Sequence, residues 1–487
     1  MTSVEQPAQG SKPSAPEPVD GPVTAGPEAS APEPLSGSAR DADLAQRSEV
    51  VLKAGVLMLG AGTSGLRVRE VMRAVSSSLG IDRLSAQVTS TDIVLTVGRK
   101  GAHRTQVGEI SSPGVNADRI ALLKRLAETL PAAAEPADVA TRLREVERTP
   151  PLHRLWLLTL LVALACASVT VLGGGGWPEA VAVLPASALG FAVLRQLQRW
   201  QINHLATVWT AAVVSCGSYI VVSQLIALAA GASPRTAIGF IGAAIFLIPG
   251  FPLVTGGLDL GRLDLQAGVP RLAYAAMVLL AIALGVWVVA VLAGISPDLV
   301  PPIQGPVWLG WLVRAVASFL AVFGWAMMFN SPTRAAATSG VVAVLGNGVR
   351  LALLDQGVSN HAATFVGCLL MGLLCAWAAG WFGLEKIIMT VPTLLVSIPG
   401  SSALRTMLYF DASDVVRAVE NLVTTLLAVV AMIAGLSVAR MATDPEWAFN
   451  RPEISDVRLA RLREAIGFRR LFMRARHEST DDSSLDV

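Results

Sequence analysis

Between residues 155 and 441 long apolar runs alternate with short polar joins, and ten of the runs approach the roughly 20 residues that a helix needs to cross hydrocarbon. They cover 155–172, 177–194, 205–229, 236–257, 272–294, 307–329, 335–354, 362–381, 387–408 and 420–441. Two of them carry a break. Phe246-Leu247-Ile248-Pro249-Gly250-Phe251-Pro252-Leu253 lies inside the fourth run, and Val396-Ser397-Ile398-Pro399-Gly400-Ser401 repeats its Ile-Pro-Gly core inside the ninth. Proline removes an amide donor and clashes with the preceding turn, and glycine in a helix interior costs about 1 kcal/mol against alanine, so each run is predicted to break at mid-depth. Backbone broken inside hydrocarbon is tolerated only where protein or water covers the freed groups. Two such breaks at matching places in two halves point to a transport pathway.

Ten spans divide as five and five, with Ile-Pro-Gly in the fourth of each half. An odd number per half makes the second half enter from the opposite face. The predicted fold class is therefore a polytopic α-helical membrane protein with ten transmembrane helices as two five-helix inverted repeats, residues 151–294 and 295–441. Residues 1–43 are Pro, Ala, Glu, Ser and Gly without an apolar stretch, which reads as a disordered arm and not as a signal peptide.

Residues 44–150 have a different rhythm. Leu52, Val56, Leu57 and Leu59 suggest one helix, and Val68, Val71, Met72, Val75 and Leu79 recur at helical spacing in a second that ends at Gly80. Alternation over 84–89, 92–97 and 105–110 then predicts strands, and helical spacing returns at 120–130 and 139–146, giving a small α+β soluble domain. Gly60-Ala61-Gly62-Thr63-Ser64-Gly65 fits the G-x-G-x-x-G string. A dinucleotide turn needs a strand before the glycines and an acid closing the next strand, whereas Asp82 comes early and Asp92 opens a strand. The other reading is a tight helix-helix turn with Thr63 or Ser64 as N-cap.

Composition agrees with a membrane chain. It is 53% hydrophobic and 15% charged, against about 25% charged in soluble proteins, and its mean hydropathy is +0.56. A net charge of +2 offers no large basic surface for nucleic acid. Cys166, Cys216, Cys368 and Cys375 all fall in apolar runs and read as small buried hydrophobes, so no metal or cofactor is expected of them.

With the amino terminus inside, Arg195, Arg199, Arg262, Arg271, Arg334 and Lys386 fall in cytoplasmic joins, against Arg235, Arg405 and Arg417 outside. That asymmetry, with the Arg-rich tail 442–487, predicts cytoplasmic termini in a plasma (inner) membrane. Arginines interleaved with Ile, Leu and Phe in the tail suggest a basic amphipathic helix on anionic lipid or one packed on the soluble domain.

Charges inside apolar runs are costly and need a partner, a cavity or the interface. Arg314 lies in the sixth run, and Arg350 lies late in the seventh beside Asn347 and Asp355; each either faces a cavity or snorkels outward. Asp259 and Asp264, with Arg262 between them, follow the first break and form either a solvated loop or a proton site at the inner mouth. Ser401, Ser402 and Arg405 follow the second. Expected substrate contacts are Pro249, Gly250, Pro252, Pro399, Gly400, Ser401, Ser402 and Asn347, and expected proton-coupling or gating groups are Asp259, Asp264, Arg314, Arg350 and Arg405. His204 and His361 read as interfacial residues or as proton relays.

Taken together, these pieces resemble the threonine/serine exporter family of bacterial inner membranes. The resemblance runs from about Val50 to Met441. It is carried by the Gly60 to Gly80 segment with Arg67 and Glu70, by Leu247-Ile248-Pro249-Gly250-Phe251-Pro252 with Asp259, by Phe329-Asn330-Ser331-Pro332-Thr333-Arg334, and by Ile398-Pro399-Gly400-Ser401 with Arg405. It implies export of L-threonine and L-serine driven by protons. A homo-oligomer stays open, and so does the alternative of a membrane-embedded enzyme whose soluble domain would draw on Asp82, Asp92, His103 and Glu109.

Overall fold

The computed structural model describes residues 35–110, 114–231, 236–295, 306–444 and 447. The chain enters through α1 (Leu35–Gly60), which begins inside the segment read as a disordered arm; the rest of that arm, and the basic tail after Asp444 apart from Trp447, lie outside the described residues. The turn Ala61–Ser64 leads to α2 (Gly65–Ser78), with Ser64 as its extended N-cap residue. A helix precedes the glycines where a dinucleotide site needs a strand. The period-2 segments form an antiparallel sheet, β1 (Arg83–Val88), β2 (Asp92–Arg99) and β3 (Ala102–Glu109), in the order β1-β2-β3. Ile93, Leu95 and Val97 of the central strand face α1 and α2 and are fully buried. Helices α3 (Ala117–Thr129) and α4 (Pro136–Arg148) complete the domain, α3 capped by Asn116 accepting from the Arg119 amide at 3.0 Å.

The apolar runs then form α5 (Leu155–Leu172), α6 (Trp177–Arg199), α7 (His204–Ala230), α8 (Thr236–Ala244), α9 (Gly250–Gly261) and α10 (Leu265–Ala293). They continue as α11 (Val307–Met328), α12 (Thr333–Asp355), α13 (Asn360–Phe382), α14 (Lys386–Leu395), α15 (Gly400–Asp411) and α16 (Val415–Thr443). Among the described residues, eight helices are long and apolar enough to cross a membrane. A ninth crossing is reached if the pair bent by 68° around Pro249 counts as one, while α14 is a shorter apolar helix of 10 residues. This is a polytopic helical membrane protein with a small three-stranded sheet domain.

The local geometry of one break recurs at the other. Pro249 and Pro399 have φ/ψ of −77/60 and −79/55, and each following glycine amide bonds the isoleucine carbonyl two residues back at 2.8 Å. A 12-residue half-helix follows in each case, then a left-handed residue (Leu263, Ser413), an aspartate N-cap (Asp264, Asp414) and a 29-residue helix. Carbonyls near the breaks are covered by protein, as hydrocarbon requires. Ser215 donates to Ala243 at 2.5 Å, and Ser339 and Thr393 donate to Met389 at 3.3 and 2.7 Å.

Small residues set the helix spacing, as is usual where lipid removes the hydrophobic drive between helices. At the α5–α11 seam a Cβ on Gly324 would stand 2.5 Å from the Leu161 carbonyl oxygen, whereas the surroundings of Gly380 are open. Gly324→Leu is expected to lower stability by about 1–3 kcal/mol through overpacking, and Gly380→Leu to leave it unchanged. Thermal unfolding of the detergent-solubilised variants checks both.

Candidate functional site

The two breaks meet. A Cβ on Gly250 would run into Leu395 and lie 3.4 Å from Ile398, and one on Gly400 would lie 3.2 Å from Ile248 and 3.4 Å from Ile245. Each glycine thus receives the aliphatic side chains of the other break. Between them lies an apolar cleft lined by Ile245, Phe246, Ile248, Leu395 and Ile398, closed by Trp325 and Met328 of α11. Its free volume is about 10 Å³, close to the least that holds a water molecule. That space is too small for an amino acid.

Along α9 from the break, Asp259 pairs with Arg271 of α10, and both are buried, at 3% and 6% exposure. Arg271 also donates to the Thr63 carbonyl of the α1–α2 turn at 2.9 Å. Arg69 of α2 reaches Asp264 at 2.6 Å. The sheet domain therefore closes over the end of the first broken span. It grips the second as well: Lys124 of α3 bonds Glu385 at 2.5 Å, just before α14, whose own Lys386 pairs with Asp444 at the end of α16. Burial opposes the charge of Lys124, but Glu385 outweighs it and raises the pKa above the usual lysine value. Arg67 is raised in the same way, its burial outweighed by Glu70 with help from Glu385 and Asp444. A third attachment joins α3 to the end of α11, the Ala117 amide donating to the Phe329 carbonyl at 2.9 Å and the Asn330 side-chain amide donating to Asn116 Oδ1 at 2.9 Å.

Of the residues singled out in the sequence, Pro249, Gly250, Pro399 and Gly400 come together at the breaks, with Pro252 half-buried one turn into α9. Ser402 and Arg405 lie half-buried on α15, and the Ser401 side chain is outside the described ones. Asn347 is buried, donates to Ser318 at 2.9 Å and accepts from Arg350 at 3.3 Å. Arg350 also reaches Thr364 and Asn360 at 3.2 Å each, so this group joins α11, α12 and α13 and is separate from Asp259. Arg314 pairs with Asp355 at 2.5 Å and stacks over Trp311, both groups exposed. His204 meets Tyr274 at 2.8 Å, and His361 meets Ser359 at 3.2 Å. The four residues weighed for an enzyme do not converge. Asp82 holds the Lys100 amide near His103, while Asp92 and Glu109 pair at the opposite end of the sheet.

Sequence reasoning passed over Arg271, counted only as a join charge, and Thr63, which acts through its backbone. Arg271 stands 12 residues after Asp259 across the short 262–264 join, where the chain folds back on itself. Glu179 was also overlooked; it is buried at the start of α6 and accepts from the Gly176 amide at 2.5 Å.

Residues 49–293 match the family described as "Putative threonine/serine exporter", and residues 314–442 match "Threonine/Serine exporter, ThrE". The chain belongs to the threonine/serine exporter family. Both breaks, Asp259 and Arg271 lie within the matched residues. Two curated relatives, each named "Probable succinate transporter subunit YjjP", come from Klebsiella aerogenes and Escherichia coli K12. Each is 26% identical over 244 residues, which is 49% of this chain and 91% of the relative. No solved structure matches. Exporter-family membership together with the apolar helices makes this a multi-pass membrane transporter.

The glycines at the breaks give a direct test of the closed packing. Gly250→Ala is expected to lose about 1–3 kcal/mol by forcing Leu395 aside, and Gly400→Ala less than about 1 kcal/mol, since its neighbours Ile248 and Ile245 are flexible side-chain ends that need to give only slightly. Leu395→Ala should relieve the first variant and not the second. Thermal midpoints of the single and double variants decide it.

Proposed function

We propose that the chain is a secondary exporter of threonine and serine, driven by the proton motive force across a bacterial inner membrane, with both termini in the cytoplasm. The observation that carries this reading is the contact of two Pro-Gly breaks whose half-helices run in opposite senses. α9 ends beside the sheet domain, while α15 ends at Asp411, which accepts from Trp287 late in α10 at 2.8 Å. Counting α8 with α9 and α14 with α15 gives ten crossings in two inverted halves, one scaffold able to open to either side with nearly equal energy. The relatives support the same division, since a protein named as a transporter subunit matches about half of this chain.

In this reading the substrate sits between the breaks once the cleft opens, held by amides and carbonyls freed at Pro249, Gly250, Pro252, Pro399 and Gly400 and by Ser401, Ser402 and Asn347. Asp259 carries the coupling proton, with Asp264, Arg314, Arg350 and Arg405 as gating charges. The groups that face Asp259 are Arg271 of α10, Asp264 of the join and Arg69 of α2; α16 brings Ile433 and Ser437 against nearby Gly257 and Gly261. A zwitterion is neutral, so the proton supplies the driving charge. At about 2.3 kcal/mol per 100 mV against about 1.4 kcal/mol per tenfold gradient, one proton at about 100 mV supports roughly 1.6 decades of accumulation. Anionic lipid at the tail and self-association are further proposals of this reading. Succinate, from the relatives' printed description, is the second cargo to consider.

Vesicles preloaded with labelled threonine, serine or succinate test it. Efflux of threonine and serine is expected to fall at least about tenfold when the potential and the proton gradient are collapsed. Unchanged efflux would remove proton coupling, and efflux of succinate alone would change the cargo. Asp259→Asn is expected to abolish proton-driven efflux; efflux that still responds to the proton gradient would remove Asp259 from the coupling role.

A further inference from the structure

We infer that the Asp259–Arg271 pair is a recognition site for the zwitterionic head of an α-amino acid at the mouth facing the sheet domain. The inference rests on the transport reading and adds to it a second binding position, separate from the cleft. Asp259 lies nine residues along α9 from Gly250, about 14 Å at the helical rise of 1.5 Å per residue. A substrate would meet this pair before it reaches the breaks.

The first argument is the chemistry of the pair. A carboxylate and a guanidinium side by side present the complement of an α-ammonium and an α-carboxylate. In the closed state they satisfy one another, and a remaining arm of Arg271 donates to the neutral Thr63 carbonyl. A guanidinium has five donors in a planar fork suited to carboxylate, and a charge-assisted bond is roughly twice as strong as one to a neutral carbonyl. Exchange of the Thr63 carbonyl for a substrate carboxylate would give Arg271 a charge-assisted bond in place of a neutral one, and it would free the α1–α2 turn. The substrate ammonium then takes the Asp259 carboxylate.

The second argument is asymmetry between the two halves. At the 150-residue offset that relates the breaks, the half-helices and their aspartate caps, Asp259 and Arg271 correspond to Tyr409 and Asn421. The α15–α16 hairpin folds with neither charge. The pair is therefore not something this hairpin needs in order to form, and it occurs only where the sheet domain covers it.

The test is ligand-dependent thermal stabilisation of the full chain in detergent, since a ligand that binds the folded state raises the unfolding midpoint increasingly as its concentration exceeds the dissociation constant. L-Threonine should stabilise the wild type, while threoninol, which lacks the carboxylate, and N-acetylthreonine, which lacks the ammonium, should not. Arg271→Gln, and Arg271→Lys with the buried cation kept, should need at least about tenfold more threonine for the same shift. A structural role alone would lower the starting midpoint and leave the concentration dependence unchanged, which would overturn the site. A trap that keeps both charges is Gly65→Cys with Ala267→Cys, because a Cβ on Gly65 lies 3.3 Å from that of Ala267, near disulfide spacing. Oxidised, this variant should lose the threonine shift and regain it on reduction; a shift retained while oxidised would also overturn the site. Absence of any threonine or serine shift in the wild type would instead remove the transport reading beneath it.

Discussion

Everything in the membrane part of this protein depends on two backbone breaks packing into each other. Proline ends one helix and glycine starts the next, and because neither glycine carries a Cβ, the isoleucines and Leu395 of the opposite break settle against bare backbone. The result is a dry contact with space for about one water. Such a contact is strong while it is closed, and the side chains that line its cleft are apolar. It can act as a seal that opens and shuts as a unit, because packed apolar surfaces favour discrete arrangements over gradual ones.

The sheet domain converts that seal into something with a handle. Its attachments fall at the ends of both broken spans: Arg69 and Thr63 on the first, Lys124 and the Arg67 environment on the second, with the Asn116–Asn330 contact between α3 and the join that follows α11. Most are charged and lie at a boundary, where each exposed ion pair contributes at most about 1 kcal/mol. The exception is Arg271, buried and shared between the domain and the membrane helices. A set of weak contacts around one buried one is well suited to repeated release, since only the buried contact carries a large penalty when left unpaired.

The breaks, the small α+β domain and most helix boundaries were legible in the sequence because each has a local cause: Pro-Gly in an apolar run, a change of period, a run length. The Gly60–Gly65 string was likewise decided locally, by the helical pattern before it. The start of α1 at Leu35 was hidden because the polar sequence there has no periodic apolar face, and Leu44 is the first buried side chain among the described ones. Arg314 and Arg350 were rightly flagged as charges needing partners, but nothing local says that the partners are Asp355 in one case and the amides of Asn347 and Asn360 with Thr364 in the other. The Thr63 contact was out of reach altogether, because a carbonyl has no identity in a sequence and its partner is more than two hundred residues away.

A scaffold of two similar halves has a consequence for direction. If the halves were chemically identical, the openings to either side would be equivalent, and nothing in the protein would distinguish export from import. Direction would then follow from gradients alone. Here the equivalents of Asp259 and Arg271 are Tyr409 and Asn421, so the two mouths differ by a complete ion pair, although the backbones around them follow the same course. The second mouth instead places Arg417 over the Tyr409 ring, a contact without a buried acid. In the proposed transport cycle a repeated backbone would keep the two openings close in energy, and the unrepeated charges would make them unequal in what they hold. A carrier that loads on one side and releases on the other requires both properties together.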